Sequence, residues 1–336
     1  SPAMEQLMES PLLLAGAAVA VVLGGMAAVV VYFLYFSPPP SAEDMLLKNG
    51  LKVRSYHKME TDWLVKEIFE DHTYGSIESE DGEKIELEFK PGMTVVDVGG
   101  NIGMFALYAW DRCGRNARVH SFEPMPAIFD VLSENCKRVN EGSIAAGVEA
   151  GVSELVAHRV ACSTEKGSIE FQFHPYMSLW STLDADFDAD RHEKMEKELA
   201  LLGPQIAPGW LAVLRPLALF LGRQWLHGMQ RTQTVTAPTA RLSDELEAAG
   251  VGASSGGRIG LLKVDVEGAE LQVLAGLSDA DWKRVDQVAM EVESEKHRDT
   301  AVAILKKHGL KPVFAPAHKI KGADKSRVWN LMAVRK

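Results

Sequence analysis

A glycine-rich turn follows an apolar run that ends in a carboxylate. Asp97 lies near the end of that run, and the turn residues that could contact a ligand are Gly99, Gly100, Asn101 and Gly103. Glycine lets the backbone approach a ligand closely, and the start of the next helix offers free N–H groups. Because the glycine spacing differs from GxGxxG, the carboxylate suits a ligand with an ammonium group better than a pyrophosphate. A purely structural turn acid is the alternative for Asp97.

A second carboxylate, Glu123, follows the next apolar run, 26 residues after Asp97. An acidic residue at this point of an α/β sheet can accept hydrogen bonds from both hydroxyls of a bound ribose. Together, Asp97 and Glu123 predict a cofactor that contains a nucleoside. Cys162 follows the third predicted strand and is expected near the adenine ring, with a plain buried thiol as the alternative.

Alternating charges mark a later strand, in which Lys263, Asp265 and Glu267 share one side because side chains alternate along a strand. Charges in a buried parallel strand are costly unless they are paired or used. Ligands of open α/β sheets bind beyond the carboxyl ends of the strands, where Asp265 and Glu267 are expected and where Glu291 ends the adjacent strand. We therefore predict all three acids as catalytic, with Asp265 or Glu267 as the base. A structural Lys263–Asp265 pair, with Glu267 at a helix start, is the alternative.

Two further hypotheses concern the same carboxylates. The three acids could hold a divalent cation through their oxygen atoms, although the favoured interpretation includes no metal. His297 could act as the base in their place, with an ordinary surface histidine as the alternative.

From residue 91 onward, short β-branched runs alternate with helical stretches, which is typical of βα units around a parallel sheet. The predicted strands are 94–98, 118–122, 156–161, 259–266, 285–292, 311–315 and 328–334. The predicted helices are 104–111, 126–139, 240–249, 269–277 and 300–308. The expected fold is therefore α/β, with helices on both faces of the sheet.

These motifs, in this order, resemble the FkbM family of S-adenosylmethionine-dependent methyltransferases. The segments that carry the resemblance are I-F-E at 68–70 with Tyr74, D-V-G-G-N-I-G at 97–103, F-E-P at 122–124, K-V-D-V-E-G-A-E at 263–270 and M-E-V at 290–292. The resemblance implies a Rossmann-like class I methyltransferase fold, with a seven-stranded, mostly parallel sheet and a reversed final strand. It also implies S-adenosylmethionine as cofactor and O-methylation of a sugar or other small-molecule hydroxyl. Gly100 stands where the family more often has alanine.

The first 40 residues predict a single transmembrane anchor. Residues 12–36 carry no charge, and these 25 residues, at about 1.5 Å each, can cross the roughly 30 Å hydrocarbon core of a bilayer. The prolines in 37–40 then end the helix. A signal peptide is the alternative, but its apolar core would be shorter and would follow positive charge, whereas Glu5 and Glu9 precede this run.

The flanking charges and small residues of the anchor predict an orientation and a partner. Basic residues follow the apolar run and none precedes it, so the large domain is expected on the cytosolic, stromal or matrix side of a membrane, that of an organelle included. The residues that place small side chains on one helix face are Gly16, Ala20, Gly24 and Ala28. That face favours packing with another transmembrane helix or a membrane complex.

The remaining chain divides into a cap region at 41–90 and a methyltransferase domain at 91–336. The stretch 174–232 is too long for a simple crossover and is expected to be an insertion in that domain. Its apolar part, 210–226, indicates contact with a membrane, with a partner, or with the domain's own pocket.

Composition limits the classes of partner. The net charge of −10 argues against a nucleic-acid partner, because nucleic-acid-binding proteins usually have a basic face. The three cysteines lack the spacing of a zinc site or of a disulfide framework. Ser1 as the first residue is consistent with a processed chain or with a start further upstream. The expected function is a membrane-anchored methyltransferase with a small-molecule substrate, and the alternative is an assembly subunit of a membrane complex that keeps the fold.

Overall fold

The structure is a computed structural model that describes residues 24, 25, 28, 41–175, 232–317 and 328–335. The chain divides into two compact units. One comprises Ser1–Pro39, His174–Met177 and Ala185–Thr232, and the other comprises Pro40–Phe173, Ser178–Asp184 and Gln233–Lys336. Nearly all described residues belong to the second unit, which contains every predicted site residue.

The described elements alternate between strands and helices. The strands are β1 (Glu43–Leu46), β2 (Lys52–Ser55), β3 (Ser76–Glu78), β4 (Lys84–Glu86), β5 (Met93–Val98), β6 (Ala117–Phe122), β7 (Glu154–His158), β8 (Ala161–Ser163), β9 (Gly167–Phe173), β10 (Gln233–Arg241), β11 (Leu261–Val264), β12 (Gln287–Val292), β13 (Leu310–Pro316) and β14 (Trp329–Arg335). The helices are α1 (Lys58–Val65), which continues as a π-helical turn (Lys66–Glu70), α2 (Met104–Arg112), α3 (Pro126–Asn140), α4 (Leu242–Ala248), α5 (Glu270–Ala275), α6 (Asp279–Trp282) and α7 (Glu295–Lys307). A short 3-10 turn (Ala253–Ser255) follows α4.

A seven-stranded sheet forms the centre of the second unit, in the order β13-β14-β12-β11-β5-β6-β7. The strands from β12 to β7 in this order pair in parallel, whereas β14 is antiparallel to both of its neighbours. This arrangement confirms the expected Rossmann-like sheet with a reversed final strand.

The sheet separates two hydrophobic cores because successive side chains of a buried strand point to opposite faces. On β5, Val95 packs in the core that contains α2 and α3, and Val96 packs in the core that contains α4 to α7. Leu261 and Leu262 divide between the two cores in the same way on β11. Helices therefore cover both faces, as expected.

A smaller sheet has the order β8-β10-β9, and the predicted insertion lies between its strands β9 and β10 in the chain. Phe173 at the end of β9 lies opposite Gln233 at the start of β10. The chain therefore leaves and re-enters this sheet at one point, next to the predicted bounds 174–232. Residues 176–231, which include the apolar stretch 210–226, lie outside the described residues.

Several predicted boundaries were wrong for identifiable reasons. The strand expected at 156–161 is divided, because β7 ends at His158 and Ala161–Ser163 pairs with β10 in the smaller sheet. Helix α7 begins before residue 300, since the Ser294 side chain accepts a hydrogen bond from the His297 amide and caps the helix. The cap region 41–90 also contains two hairpins, β1-β2 and β3-β4, that the sequence did not predict.

Most of the predicted membrane segment lies outside the described residues; from residues 1–40 the structure describes only Gly24, Gly25 and Ala28, as helical and exposed. Among all the residues that the structure describes, no helix is both long enough and apolar enough to span a bilayer.

Candidate active site

A row of polar side chains crosses one face of the central sheet. Ser121 on β6, Asp97 on β5 and Lys263 on β11 are direct neighbours in the strand register, so their side chains share a face. The Ser121 hydroxyl donates to Asp97 Oδ2 at 3.0 Å, and Lys263 Nζ lies 3.4 Å from Asp97 Oδ1. Burial raises the pKa of the Asp97 carboxyl, and the Lys263 charge only partly offsets this. Asp97 thus belongs to a buried charge network at the carboxyl end of β5.

Lys263 connects this network to a second carboxylate. Its Nζ donates to the Gly99 carbonyl oxygen at 2.7 Å and lies 3.5 Å from Asp265 Oδ2. Burial lowers the pKa of Lys263, but the Asp265 and Asp97 carboxylates outweigh burial and raise it. The side chain is therefore a buried ammonium between the glycine-rich turn and Asp265. The predicted Lys263–Asp265 pair is present, and it includes Asp97.

The turn after β5 is tight enough to need glycine. Gly99 has a φ of 80°, and a Cβ there would lie 1.7 Å from the Asp265 carbonyl oxygen. Gly103, with a φ of 90°, precedes α2. Asn101 has a φ of 45°, and its side-chain oxygen accepts from the following amide at 2.7 Å. At Gly100, where the family more often has alanine, a Cβ would lie 3.1 Å from the Ser121 Cβ, so that neighbour would have to move slightly.

Glu123 follows β6 and holds this turn from the other side. Its Oε2 accepts from the Asn101 amide at 3.0 Å, and its Oε1 accepts from the Met125 amide at 2.9 Å. Burial raises the pKa of Glu123 to about 7. Each carboxylate oxygen keeps a second lone pair, so Glu123 can accept from a ligand while it holds the turn.

These features fit the predicted cofactor. The nucleoside part of the cofactor needs a carboxylate just after β6 to accept from its ribose, and Glu123 lies there. The amino acid part of the cofactor needs a turn whose backbone can approach it closely and an acceptor for its ammonium group. The turn at Gly99 fits the first requirement. Asp97 Oδ1 fits the second, since it is buried without a hydrogen bond among the described residues, although the Lys263 ammonium lies 3.4 Å away.

The predicted catalytic carboxylates lie at the carboxyl ends of β11 and β12. Asp265 follows β11, and its side chain is 30% exposed. Glu267, half-buried, has a φ of 51° in the turn before α5. Glu291 lies on β12 opposite Asn330 of β14. Burial raises the pKa of Glu291 well above its usual value, and the nearby Asp265 and Glu267 carboxylates add to the rise. The structure thus brings the three acids into one electrostatic group.

Two residues of the cap region join this group, and the sequence analysis did not assign them to the site. The Tyr74 hydroxyl donates to Asp265 Oδ2 at 3.0 Å. Glu67 lies in the π-helical turn, where burial and the Asp265 charge raise its pKa to about 7. The only signal for Tyr74 was its place in the family resemblance, and Glu67 directly precedes the I-F-E segment of that resemblance.

Cys162 lies on β8, opposite Ala240 of β10, in the smaller sheet. The residue is buried, and burial raises the pKa of its thiol. Its contact with an adenine ring stays a prediction. Cys113, Cys136 and Cys162 are all buried, free thiols.

The turn before α5 is held by Glu270, which the sequence analysis did not single out. Glu270 Oε1 accepts from the Gly268 amide at 2.7 Å, and Oε2 lies 3.7 Å from His297 Nδ1. Burial raises the pKa of Glu270 to about 7. Glu270 therefore makes a helix-start contact of the kind that the alternative interpretation assigned to Glu267. Across the described parts of the chain, no three His, Cys, Asp or Glu side chains group as metal ligands would.

Known proteins are similar in sequence to this chain over most of its length. Residues 97–309 match the family model described as Methyltransferase FkbM domain. The 31-O-demethyl-FK506 methyltransferase FkbM of Streptomyces tacrolimicus is 33% identical over 273 residues, which cover 80% of this chain and 88% of that protein. Methyltransferase 1 of Beauveria bassiana (strain ARSEF 2860) is 31% identical over 77% of this chain and 86% of its own length. Methyltransferase sdnD of Sordaria araneosa is 29% identical over 80% of this chain and 88% of its own.

The match begins at Asp97 and includes the glycine-rich turn, Glu123, and all three predicted catalytic acids. It confirms the resemblance and favours an enzyme over an assembly subunit that only keeps the fold. With a seven-stranded methyltransferase sheet and a cofactor turn of fitting geometry, the chain belongs to the FkbM family and is an S-adenosylmethionine-dependent methyltransferase.

Proposed function

We propose that this enzyme methylates a hydroxyl group of a small molecule and that Asp265 is the base. The observation that carries the proposal is the position of Lys263. One buried ammonium lies within 3.5 Å of both the Asp97 carboxylate, on the proposed cofactor side, and the Asp265 carboxylate, on the proposed acceptor side. The name of the Streptomyces relative specifies an oxygen acceptor, which supports the same chemistry here.

The protein's part in this reaction is to bind, to orient and to remove a proton. Bound S-adenosylmethionine supplies a methyl group that is already activated by its sulfonium. The residues proposed to hold the cofactor are Asp97, Gly99, Gly100, Asn101, Gly103 and Glu123, with Cys162 near the adenine. Asp265 would accept the hydroxyl proton, and general base catalysis of this kind typically contributes about 10²–10⁴-fold to the rate.

Glu267 and Glu291 have separate proposed roles. Glu267 is the second candidate for the base. Burial, with the Asp265 and Glu267 carboxylates, raises the pKa of Glu291 well above its usual value. This favours the protonated carboxyl group, which can donate a hydrogen bond to the acceptor. Among the described residues around Asp265, carboxyl groups outnumber the Lys263 ammonium, so acceptors with a phosphate or carboxylate close to the reacting hydroxyl would be disfavoured.

The membrane anchor is also part of the proposal, and it rests on the sequence. The uncharged run 12–36 and the basic residues after it support a single-pass protein whose enzyme domain faces the cytosol, stroma or matrix. The small-residue face supports a helix partner in the same membrane. Alkaline extraction of membranes tests this, because a spanning protein stays in the pellet and a peripheral protein is released.

The test of the enzymatic proposal uses the full chain with S-adenosylmethionine and 31-O-demethyl-FK506, together with a panel of neutral polyols and sugars. Mass spectrometry is expected to locate the new methyl group on oxygen. Asp265→Asn should lower kcat by about 10²–10⁴-fold with unchanged cofactor affinity by calorimetry. The exposed Asp130→Asn is the matched control. Methylation of nitrogen or carbon would refute the hydroxyl acceptor, and full turnover by Asp265→Asn would refute the base.

A further inference from the structure

Tyr74 reaches the site from outside the sheet. It follows the π-helical turn, is 191 residues from Asp265 in the chain, and donates from its hydroxyl to Asp265 Oδ2 at 3.0 Å. Its ring is buried and packs edge-to-face on Phe105 of α2, with ring centroids 5.1 Å apart. The packing holds the ring and thereby fixes the direction from which the hydroxyl approaches the carboxylate.

The two oxygen atoms of Asp265 have different surroundings. Tyr74 Oη and Lys263 Nζ both approach Oδ2, at 3.0 and 3.5 Å. The Asp265 side chain is 30% exposed, and both of these donors from the described residues lie at Oδ2. Oδ1 is therefore the oxygen with capacity left to accept a proton from a substrate.

The Tyr74 hydroxyl is a donor and not a base. Burial raises the pKa of Tyr74 well above its usual value, and the Asp265, Glu291 and Glu67 carboxylates raise it further. Such a shift favours the protonated phenol, so the Tyr74 hydroxyl is the donor to Asp265 Oδ2.

We propose that Tyr74 is a positioning residue for methyl transfer, which orients the Asp265 carboxylate through Oδ2 so that Oδ1 receives the acceptor proton. The inference rests on the proposed role of Asp265 as base. In this step the hydroxyl proton passes to Asp265 Oδ1 and the acceptor oxygen forms the bond to the methyl carbon. The S–CH₃ electron pair stays on sulfur, which gives S-adenosylhomocysteine.

Other charges also act on Asp265, and they must be constant in any test. The titratable and charged groups that face it are Asp97 on β5, Lys263 on β11, Glu67 in the π-helical turn, Glu267 and Glu270 around the start of α5, and Glu291 on β12. Tyr74→Phe removes one hydroxyl and leaves each of these groups in place.

The experiment compares the ¹³C carboxyl chemical shift of Asp265, at one pH, in the full-length wild-type chain and in Tyr74→Phe, with Asp265→Asn to assign the signal. Loss of the hydrogen bond at Oδ2 should move this signal. With 31-O-demethyl-FK506 as acceptor, kcat should fall about tenfold, the effect typical of losing a hydrogen bond to a charged group, and the KM for S-adenosylmethionine should not change. Tyr74→Phe should cause no further loss of kcat in Asp265→Asn, because Tyr74 acts through that carboxylate.

Tyr108→Phe is the matched control. Tyr108 is also buried and contacts Phe105, but its hydroxyl has no hydrogen-bond partner among the described residues. Its loss should leave the Asp265 chemical shift and kcat unchanged. If Tyr74→Phe fails to fold, replacement of Tyr74 by 3-fluorotyrosine keeps the ring and strengthens the donor, so the Asp265 signal should move and the KM for S-adenosylmethionine should not change.

Two results would count against the inference in different ways. An unchanged Asp265 chemical shift in Tyr74→Phe, or an equal change in Tyr108→Phe, overturns the role of Tyr74 alone. Full turnover by Asp265→Asn overturns the proposed base, and with it any catalytic meaning of the Tyr74 contact. The chemical shift needs no acceptor, so the two failures can be distinguished.

Discussion

Lys263 donates from Nζ to the Gly99 carbonyl oxygen at 2.7 Å, across the boundary between β11 and the turn after β5. The same ammonium lies between the Asp97 and Asp265 carboxylates. A change in charge at Asp97, on the proposed cofactor side, should therefore affect Asp265, on the proposed acceptor side, through the Lys263 ammonium.

Lys263→Met should strongly destabilise the fold. Removal of one partner of a buried ion pair leaves an uncompensated carboxylate, which typically costs about 3–5 kcal/mol. Urea denaturation measures the free energy of unfolding. The control is Lys48→Met, since Lys48 forms an ion pair with Glu70 but is 88% exposed, and its loss should leave the unfolding midpoint unchanged. Equal unfolding midpoints for both variants would mean that the fold tolerates buried Asp97 and Asp265 without the Lys263 ammonium.

Gly99→Ala should damage both the fold and cofactor binding. The new methyl group would meet the Asp265 carbonyl oxygen, in addition to the strain of a φ of 80°. Gly147→Ala is the matched control, because Gly147 has a φ of 78° with no atom within 4 Å of the added Cβ. The control should cost roughly 1–2 kcal/mol, and Gly99→Ala about 1–3 kcal/mol more. Thermal melts and calorimetry with S-adenosylmethionine measure the two effects, and similar losses in both variants would contradict the close contact.

Cofactor affinity should depend on pH through Glu123. The ionised carboxylate is the better acceptor for ribose hydroxyls, and the Glu123 pKa is raised to about 7 by burial. Affinity for S-adenosylmethionine should therefore fall as the pH drops below about 7. Glu123→Gln should lower affinity at least about tenfold at pH 8, because hydrogen bonds to charged groups contribute about 1.5–3 kcal/mol, and should remove most of the pH dependence. Calorimetry from pH 6 to 8 tests this, with the exposed Glu141→Gln as control.

Glu270→Gln should stabilise the protein at pH 8. Burial raises the Glu270 pKa from 4.5 to about 7, so the folded state binds more protons than the unfolded state between these values. The stability that this group contributes is complete below pH 4.5 and is lost as the pH rises through about 7, by up to about 3 kcal/mol. Glu270→Gln has no such loss. Urea denaturation at pH 5 and pH 8 should show a smaller decrease for the variant, and parallel curves would contradict the raised pKa.

The local pattern of the chain was sufficient to predict the central sheet. Short β-branched runs that alternate with helical stretches predicted its seven strands, and this inference succeeds because it depends on residues that are close in sequence. The rule that ligands bind at the carboxyl ends of parallel strands predicted Asp97, Glu123 and Asp265 as site residues, and their roles stay predictions. The divided strand at 156–161 shows the limit, since Ala161–Ser163 leaves the main sheet to pair with β10, more than 70 residues later.

The remaining features of the site depend on contacts between segments that are distant in the chain. Tyr74 and Glu67 belong to no strand end and to no spacing that indicates chemistry, yet they complete the group around Asp265 because the cap region folds against α2. The raised pKa values of Glu123 and Glu270 could not be predicted either, since they result from desolvation by side chains that are remote in sequence. Residue type and spacing specify which groups are available for catalysis, whereas three-dimensional packing sets their protonation and their partners.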